Sequence, residues 1–170
     1  MQNWNSYFTV TAGASASLTG FIFIGLSLNL HKILKITRSH LPTRALGSIL
    51  LLSNILIVSS FHLIPGQPVC YIGDEILGTT IIVWIVNTRI DIFSIKRVDR
   101  NFFVPYLKAL IFTQLSLIPF FISAVMLCSG CAYGLYVLVP GISFSFIKCL
   151  IDAWYLLVEV NRSEIVFEKL

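Results

Sequence analysis

Charged side chains are scarce in this sequence. They make up 12% of its 170 residues, about half the share found in soluble domains. Apolar residues make up 56%, and the mean hydropathy is +0.87. This balance excludes an ordinary water-soluble fold and predicts a membrane protein with little soluble mass. A formal net charge of +4 does not indicate nucleic acid, because basic residues in membrane proteins gather in cytoplasmic loops and these do so.

Motifs that would identify an enzyme are also missing. The sequence contains no P-loop, no GxSxG, no HExxH and no dinucleotide-binding glycine pattern. It has no internal repeat, low-complexity stretch or linker that would separate domains. We therefore expect one domain over residues 1–170, with no enzymatic activity, no cofactor and no metal.

Long apolar segments are what the sequence does contain. Five of them approach the length that spans a hydrocarbon core, so we predict an all-α, five-transmembrane-helix bundle. The predicted helices cover residues 8–30, 45–64, 69–88, 104–127 and 133–160. No lysine or arginine precedes the first segment, so we expect a retained helix rather than a signal peptide.

The third segment is the least certain of the five. Asp74 and Glu75 lie near its start, and the uninterrupted apolar part, 76–86, is short enough for a re-entrant or interfacial segment. The linker charges favour a full crossing. One linker carries Lys32, Lys35, Arg38 and Arg44, and the other carries Arg89, Lys96, Arg97 and Arg100. Both should be cytoplasmic, which predicts an outer amino terminus and a cytoplasmic carboxyl terminus.

Small residues line one side of the first helix. They are Ala12, Gly13, Ala16, Ser17 and Gly20. Helices in lipid associate through close backbone approach, which small side chains permit. The pattern fits either a face for homo-oligomer formation or packing within the protein's own bundle.

Four polar residues fall inside the predicted spans: Asn54, Gln114, Lys148 and Asp152. Lys148 and Asp152 are one helical turn apart, so they share a face and can pair. An unpaired charge at mid-bilayer costs about 2.5–3.5 kcal/mol on insertion scales. We expect the pair to point into the bundle, with Asn54 and Gln114 as hydrogen-bonding neighbours. Its role is either to fix the rotation of the helix or to form a functional site.

Cysteines and acids form two further groups at the predicted outer side. Cys128 and Cys131 make a CxxC at a helix end, which predicts a structural disulfide or packing thiols. A membrane thiol oxidoreductase is a weaker reading of the same pair. Asp74 and Glu75 with His62 could bind a cation, but we expect solvated interfacial acids.

The opening of the chain, "TAGASASLTGFIFIGLSLNLHKIL", resembles that of a group of small bacterial multi-pass membrane proteins without an established activity. The stretch "LIPGQP" is similar to the exit from their second helix. The resemblance implies a multi-pass protein of the bacterial cytoplasmic (inner) membrane. It implies no catalytic or binding residue.

Two functions remain open from the sequence. The first is a non-enzymatic module acting through helix–helix association in the lipid bilayer, as a homo-oligomer or an accessory subunit of a larger membrane complex. The alternative is a small oligomeric channel or transporter with a polar path through Lys148, Asp152, Asn54 and Gln114. Five helices of this size enclose little space alone, so such a path would lie between protomers or at a central axis.

Overall fold

A computed structural model describes residues 2–28, 41–97 and 103–167, and these form five α-helices, with described turns at 63–68 and 129–133. The basic linker residues between 29 and 40 and between 98 and 102 lie outside the described part. The helices are α1 (Gln2–Leu28), α2 (Leu41–His62), α3 (Val69–Arg97), α4 (Phe103–Cys128) and α5 (Gly134–Phe167). The predicted all-α architecture is confirmed for these residues.

All five helices contain a segment long and apolar enough to cross a membrane. The re-entrant alternative for the third segment is wrong, because α3 is one continuous helix of 29 residues, about 44 Å long at 1.5 Å per residue. It ends at Arg97 rather than at 88, and α1 begins at Gln2 rather than at 8. Hydropathy marks where a helix enters lipid, whereas backbone hydrogen bonding continues past that point.

Consecutive helices run antiparallel, and each of the two described turns contains a glycine with a positive φ angle. Gly66 and Gly130 have φ angles of 75° and 79°, a left-handed conformation that costs glycine no steric energy. Gly66 lies between α2 and α3, and Gly130 between α4 and α5. The "PGQP" turn expected after the second helix is therefore present.

Helix α2 lies at the centre of the bundle and contacts α1, α3 and α5. Its fully buried side chains include Leu51, Leu52 and Ile55. Large apolar side chains elsewhere remain exposed on the outer surfaces of the helices, such as Phe21 on α1 and Val125 on α4. A soluble monomer rarely exposes so much apolar area, so this surface fits a lipid surrounding.

The two ends of the bundle differ in charge, and we refer to one of them as the basic end. There α2 and α4 begin, and α1, α3 and α5 finish. It is the end to which the lysine- and arginine-containing linkers connect. The opposite end carries the two glycine turns.

Candidate functional site

A buried ion pair on α5 is the centre of the candidate site. Lys148 Nζ lies 2.6 Å from Asp152 Oδ2, within hydrogen-bond distance. The two side chains are 8% and 4% exposed, so both point into the bundle. The helical spacing brings them together because residues four apart lie one above the other on a helix.

Helix α2 supplies two further partners to the same carboxylate. Arg44 donates to Asp152 Oδ1 from Nη2 at 2.6 Å and from Nε at 3.2 Å. Ser48 donates to Asp152 Oδ2 at 2.8 Å. The Arg44 guanidinium also lies over the ring of Tyr155, 4.3 Å from its centroid. Asp152 therefore joins α5 to α2, and two cations share one carboxylate.

A second carboxylate approaches the cluster from α3. Asp91 lies within electrostatic reach of Lys148, Asp152 and Arg44. Its Oδ2 atom is buried and accepts no hydrogen bond from the part of the chain that the structure describes. With Asp91 included, the cluster holds two acids and two bases, which is close to neutral overall.

Sequence reasoning missed both partners from α2. Arg44 was assigned to the basic linker, although α2 begins at Leu41 and places it within the helix. Ser48 gave no signal, because serine is common in transmembrane helices. The length of the arginine side chain was the one available signal for Arg44. From the first turn of a helix, an arginine can reach a buried carboxylate.

The two polar residues expected to hydrogen-bond to the ion pair do not bond to it. Gln114 accepts a hydrogen bond from Trp84 Nε1 at 2.7 Å and donates to Thr88 Oγ1 at 3.1 Å. Its amide is thus used between α3 and α4, so the proposed polar path loses this member. Asn54 is buried, but neither of its side-chain atoms hydrogen-bonds to another residue.

Buried polar atoms without partners recur on three helices. Besides Asn54, they include Thr80 Oγ1, Asn87 Nδ2 and Ser145 Oγ. Gly47 on α2 lies beside Asn87 on α3, since a β-carbon added at Gly47 would be 3.0 Å from Asn87 Oδ1. These two residues are therefore at the same height along the bundle. Asn54 and Thr80 each lie about two helical turns further from the basic end than Gly47 and Asn87. Because α2 and α3 are antiparallel, Asn54 and Thr80 are also at the same height.

The small-residue side of α1 faces away from the bundle. Gly13, Ala16, Ser17 and Gly20 are exposed, and added β-carbons at both glycines would meet nothing within 4 Å. Ala12 is partly buried at the edge of this face. Packing within the protein's own bundle therefore does not account for the exposed part of the stripe.

Helix α1 contacts α2 through its opposite face. Thr11 Oγ1 lies 3.0 Å from Ser59 Oγ, and the ring of Phe8 stacks on His62 with a centroid distance of 4.0 Å. Ser15 is also fully buried. Five helices thus assemble without using the small-residue face.

For the thiols at the opposite end, the two expectations are a structural disulfide or packing thiols. Cys128 and Cys131 are free in the structure. Cys128 Sγ instead donates to Asp74 Oδ1 at 3.2 Å, and Cys131 closes the turn through its backbone, its N–H donating to Met126 O. The Cys128 side chain is thus directed towards α3.

The acids and the histidine at that end hydrogen-bond to other groups. Glu75 accepts a hydrogen bond from Gln67 at 2.7 Å, and His62 Nδ1 lies 2.9 Å from Val58 O. Within the described ranges, no group of three His, Cys, Asp or Glu residues could hold a metal ion.

Comparison of the chain with protein-family models, curated proteins and solved structures gives no match. The resemblance of its opening to small bacterial membrane proteins therefore stays a prediction. The geometry described above is the basis on which a function can be proposed.

Proposed function

We propose that this protein is a non-enzymatic membrane module that acts by helix–helix association, and that its first partner is a second copy of the chain. It lies in the bacterial cytoplasmic membrane as a multi-pass protein. Its amino terminus is outside, and the basic end is cytoplasmic. The positive-inside rule supports this orientation.

The exposed small-residue face of α1 is the observation that carries the proposal. Lipid supplies no hydrophobic drive for helices to associate, so close backbone contact must provide the attraction. Gly13 and Gly20 leave space for a neighbouring backbone, and Ala16 lies between them on the same side. Two copies could therefore approach closely along α1 without repacking the bundle.

The test is a bulky substitution on this face. We expect Ala16→Ile to weaken the dimer in liposomes by about 5- to 140-fold, since overpacking a close contact costs about 1–3 kcal/mol and 1.4 kcal/mol is tenfold. The fraction of dimer is measured by energy transfer between labelled chains as the protein-to-lipid ratio is varied.

A matched control exists on the same helix. Ala14 is also exposed but lies about 160° around the helix from Ala16. Ala14→Ile should leave the dimer fraction unchanged. Self-association is wrong if the wild-type chain is monomeric at every protein-to-lipid ratio, or if both substitutions weaken the dimer equally.

Orientation is tested separately with reporter fusions in the two linkers. Fusions after Arg38 and after Arg100 should report the same, cytoplasmic side. Reporters on opposite sides would contradict the two full crossings, by α2 and α3, that separate the linkers.

A second candidate function is supported by the buried polar atoms that lack protein partners. In lipid, such groups cost several kcal/mol unless water or a ligand satisfies them. Asn54, Thr80 and Ser145, together with Asn87 nearer the ion pair, are the groups concerned. They would line a hydrated path for a small solute, which is the channel or transporter alternative without Gln114.

The channel alternative is tested by solute flux in liposomes. Asn54→Leu keeps the approximate volume of the side chain and removes its polar atoms, so it should abolish flux through such a path. Gln114→Leu is the control, because Gln114 bonds to Trp84 and Thr88 instead. Absent wild-type flux, or flux unaffected by Asn54→Leu, would exclude the path.

A further inference from the structure

A cavity opens beside the buried ion pair, between α2, α4 and α5. Its volume is about 180 Å³, the share of roughly six liquid waters at about 30 Å³ each. Four charged side chains line it: Arg44, Lys108, Lys148 and Asp152. The remaining lining residues are apolar and come from α4 and α5.

Positive charge dominates the walls of this cavity. Three cations face one carboxylate, and that carboxylate already accepts bonds from two of them, Arg44 and Lys148. Lys108 makes no hydrogen bond or ion pair with another described residue. Asp91 adds one negative charge from α3 but does not line the cavity. A net positive charge remains.

Unused donors point to what the cavity can hold. The ammonium of Lys148 has three N–H groups and the guanidinium of Arg44 has five. Asp152 accepts only one hydrogen bond from Lys148 and two from Arg44. The exposed ammonium of Lys108 adds three more. Several charged donors around one small space suit an anion with several oxygens.

The cavity lies near the basic end of the bundle. Arg44 is in the first turn of α2, which begins at Leu41, and Lys108 is in the second turn of α4, which begins at Phe103. With the basic end at the cytoplasmic surface, as the proposed orientation has it, phosphate headgroups of the bilayer lie close to both side chains. Apolar side chains next to them, such as Ile151, are exposed towards lipid.

We propose that this cavity binds a phosphate group, carried either by an anionic phospholipid or by a soluble phosphate. Arg44 and Lys148, held in place by Asp152, form its inner wall. Lys108 closes the outer side, as the cation that pairs with no other residue in the described ranges. This proposal is independent of self-association through α1, which lies on another side of the bundle.

The experiment uses the full chain purified in a neutral detergent and two separate probes. Inorganic phosphate is titrated while the thermal unfolding midpoint is followed. Phosphatidylglycerol and phosphatidylcholine are compared by native mass spectrometry of their complexes with the protein. We expect Lys108→Gln to weaken binding of the active probe about tenfold, and Lys108→Arg to retain it.

Arg89→Gln is the matched control. Arg89 is exposed on α3 and does not line the cavity, so the substitution removes one positive charge elsewhere on the protein. Its effect on binding should stay within about twofold. Lys108 is also exposed, so its variants should unfold at the wild-type temperature without ligand.

Each outcome decides the proposal. Binding of inorganic phosphate that depends on Lys108 identifies a site for a soluble anion. Preference for phosphatidylglycerol over phosphatidylcholine, dependent on Lys108 and without phosphate binding, identifies a lipid headgroup site. The proposal is overturned if neither probe binds, or if Arg89→Gln weakens binding as much as Lys108→Gln.

Discussion

Asp152 and Lys148 form one ion pair, yet their removal should have very different consequences. Asp152 accepts hydrogen bonds from three side chains, those of Arg44, Lys148 and Ser48. Lys148, in contrast, is one of two cations on that carboxylate. We predict that Asp152→Asn destabilises the protein far more than Lys148→Met.

The magnitudes follow from burial. Asp152→Asn leaves two cations, 8% and 17% exposed, without their shared counter-charge. Breaking a buried pair in this way costs about 3–5 kcal/mol. Asp91 offers Lys148 another acceptor, so the lower part of that range is expected. Lys148→Met leaves Asp152 bonded to Arg44 and Ser48, and it also relieves the cost of burying an ammonium. Its net loss should stay below about 2 kcal/mol.

The assay is reversible unfolding in mixed detergent micelles with increasing sodium dodecyl sulfate, followed by far-ultraviolet circular dichroism. Asp74→Asn is the matched control, because that aspartate is exposed and the change should cost less than about 0.5 kcal/mol. Equal losses for Asp152→Asn and Lys148→Met, or a larger loss for Lys148→Met, would refute the view that Asp152 holds the cluster together.

Three further predictions concern other parts of the bundle. Gly73→Ala should cost about 1–3 kcal/mol, since its β-carbon would lie 2.5 Å from the backbone nitrogen of Cys128, whereas Gly78→Ala meets open space and should be neutral or stabilising in the same unfolding assay. Asn54→Leu should raise stability by about 1–2 kcal/mol, because it removes a buried amide without partners; a loss would indicate that bound water or ligand satisfies that amide. Maleimide labelling of the denatured, unreduced protein should modify both Cys128 and Cys131; an unlabelled pair would indicate a disulfide.

The sequence by itself determined the helical architecture. Transfer of apolar side chains into lipid is a local property of each segment, so hydropathy located five spans and the short links between them. The pairing of Lys148 with Asp152 was equally predictable, because it depends only on the 3.6-residue period within one helix.

Contacts between helices were decided by the tertiary structure alone. Whether Arg44 points towards a linker or into the bundle depends on how α2 is rotated and how far it extends, and hydropathy reports neither. Gln114 shows the same limit, since its polarity predicted burial near the ion pair, yet the rotation of α4 turns its amide to Trp84.

The small-residue stripe was ambiguous for a related reason. Glycine and alanine permit close approach on whichever side they face, and only the packing of α1 through Phe8 and Thr11 leaves that stripe free. Local chemistry therefore determined which segments enter the membrane. Interhelical packing, which depends on all five helices at once, decided which groups meet inside and which remain at the surface.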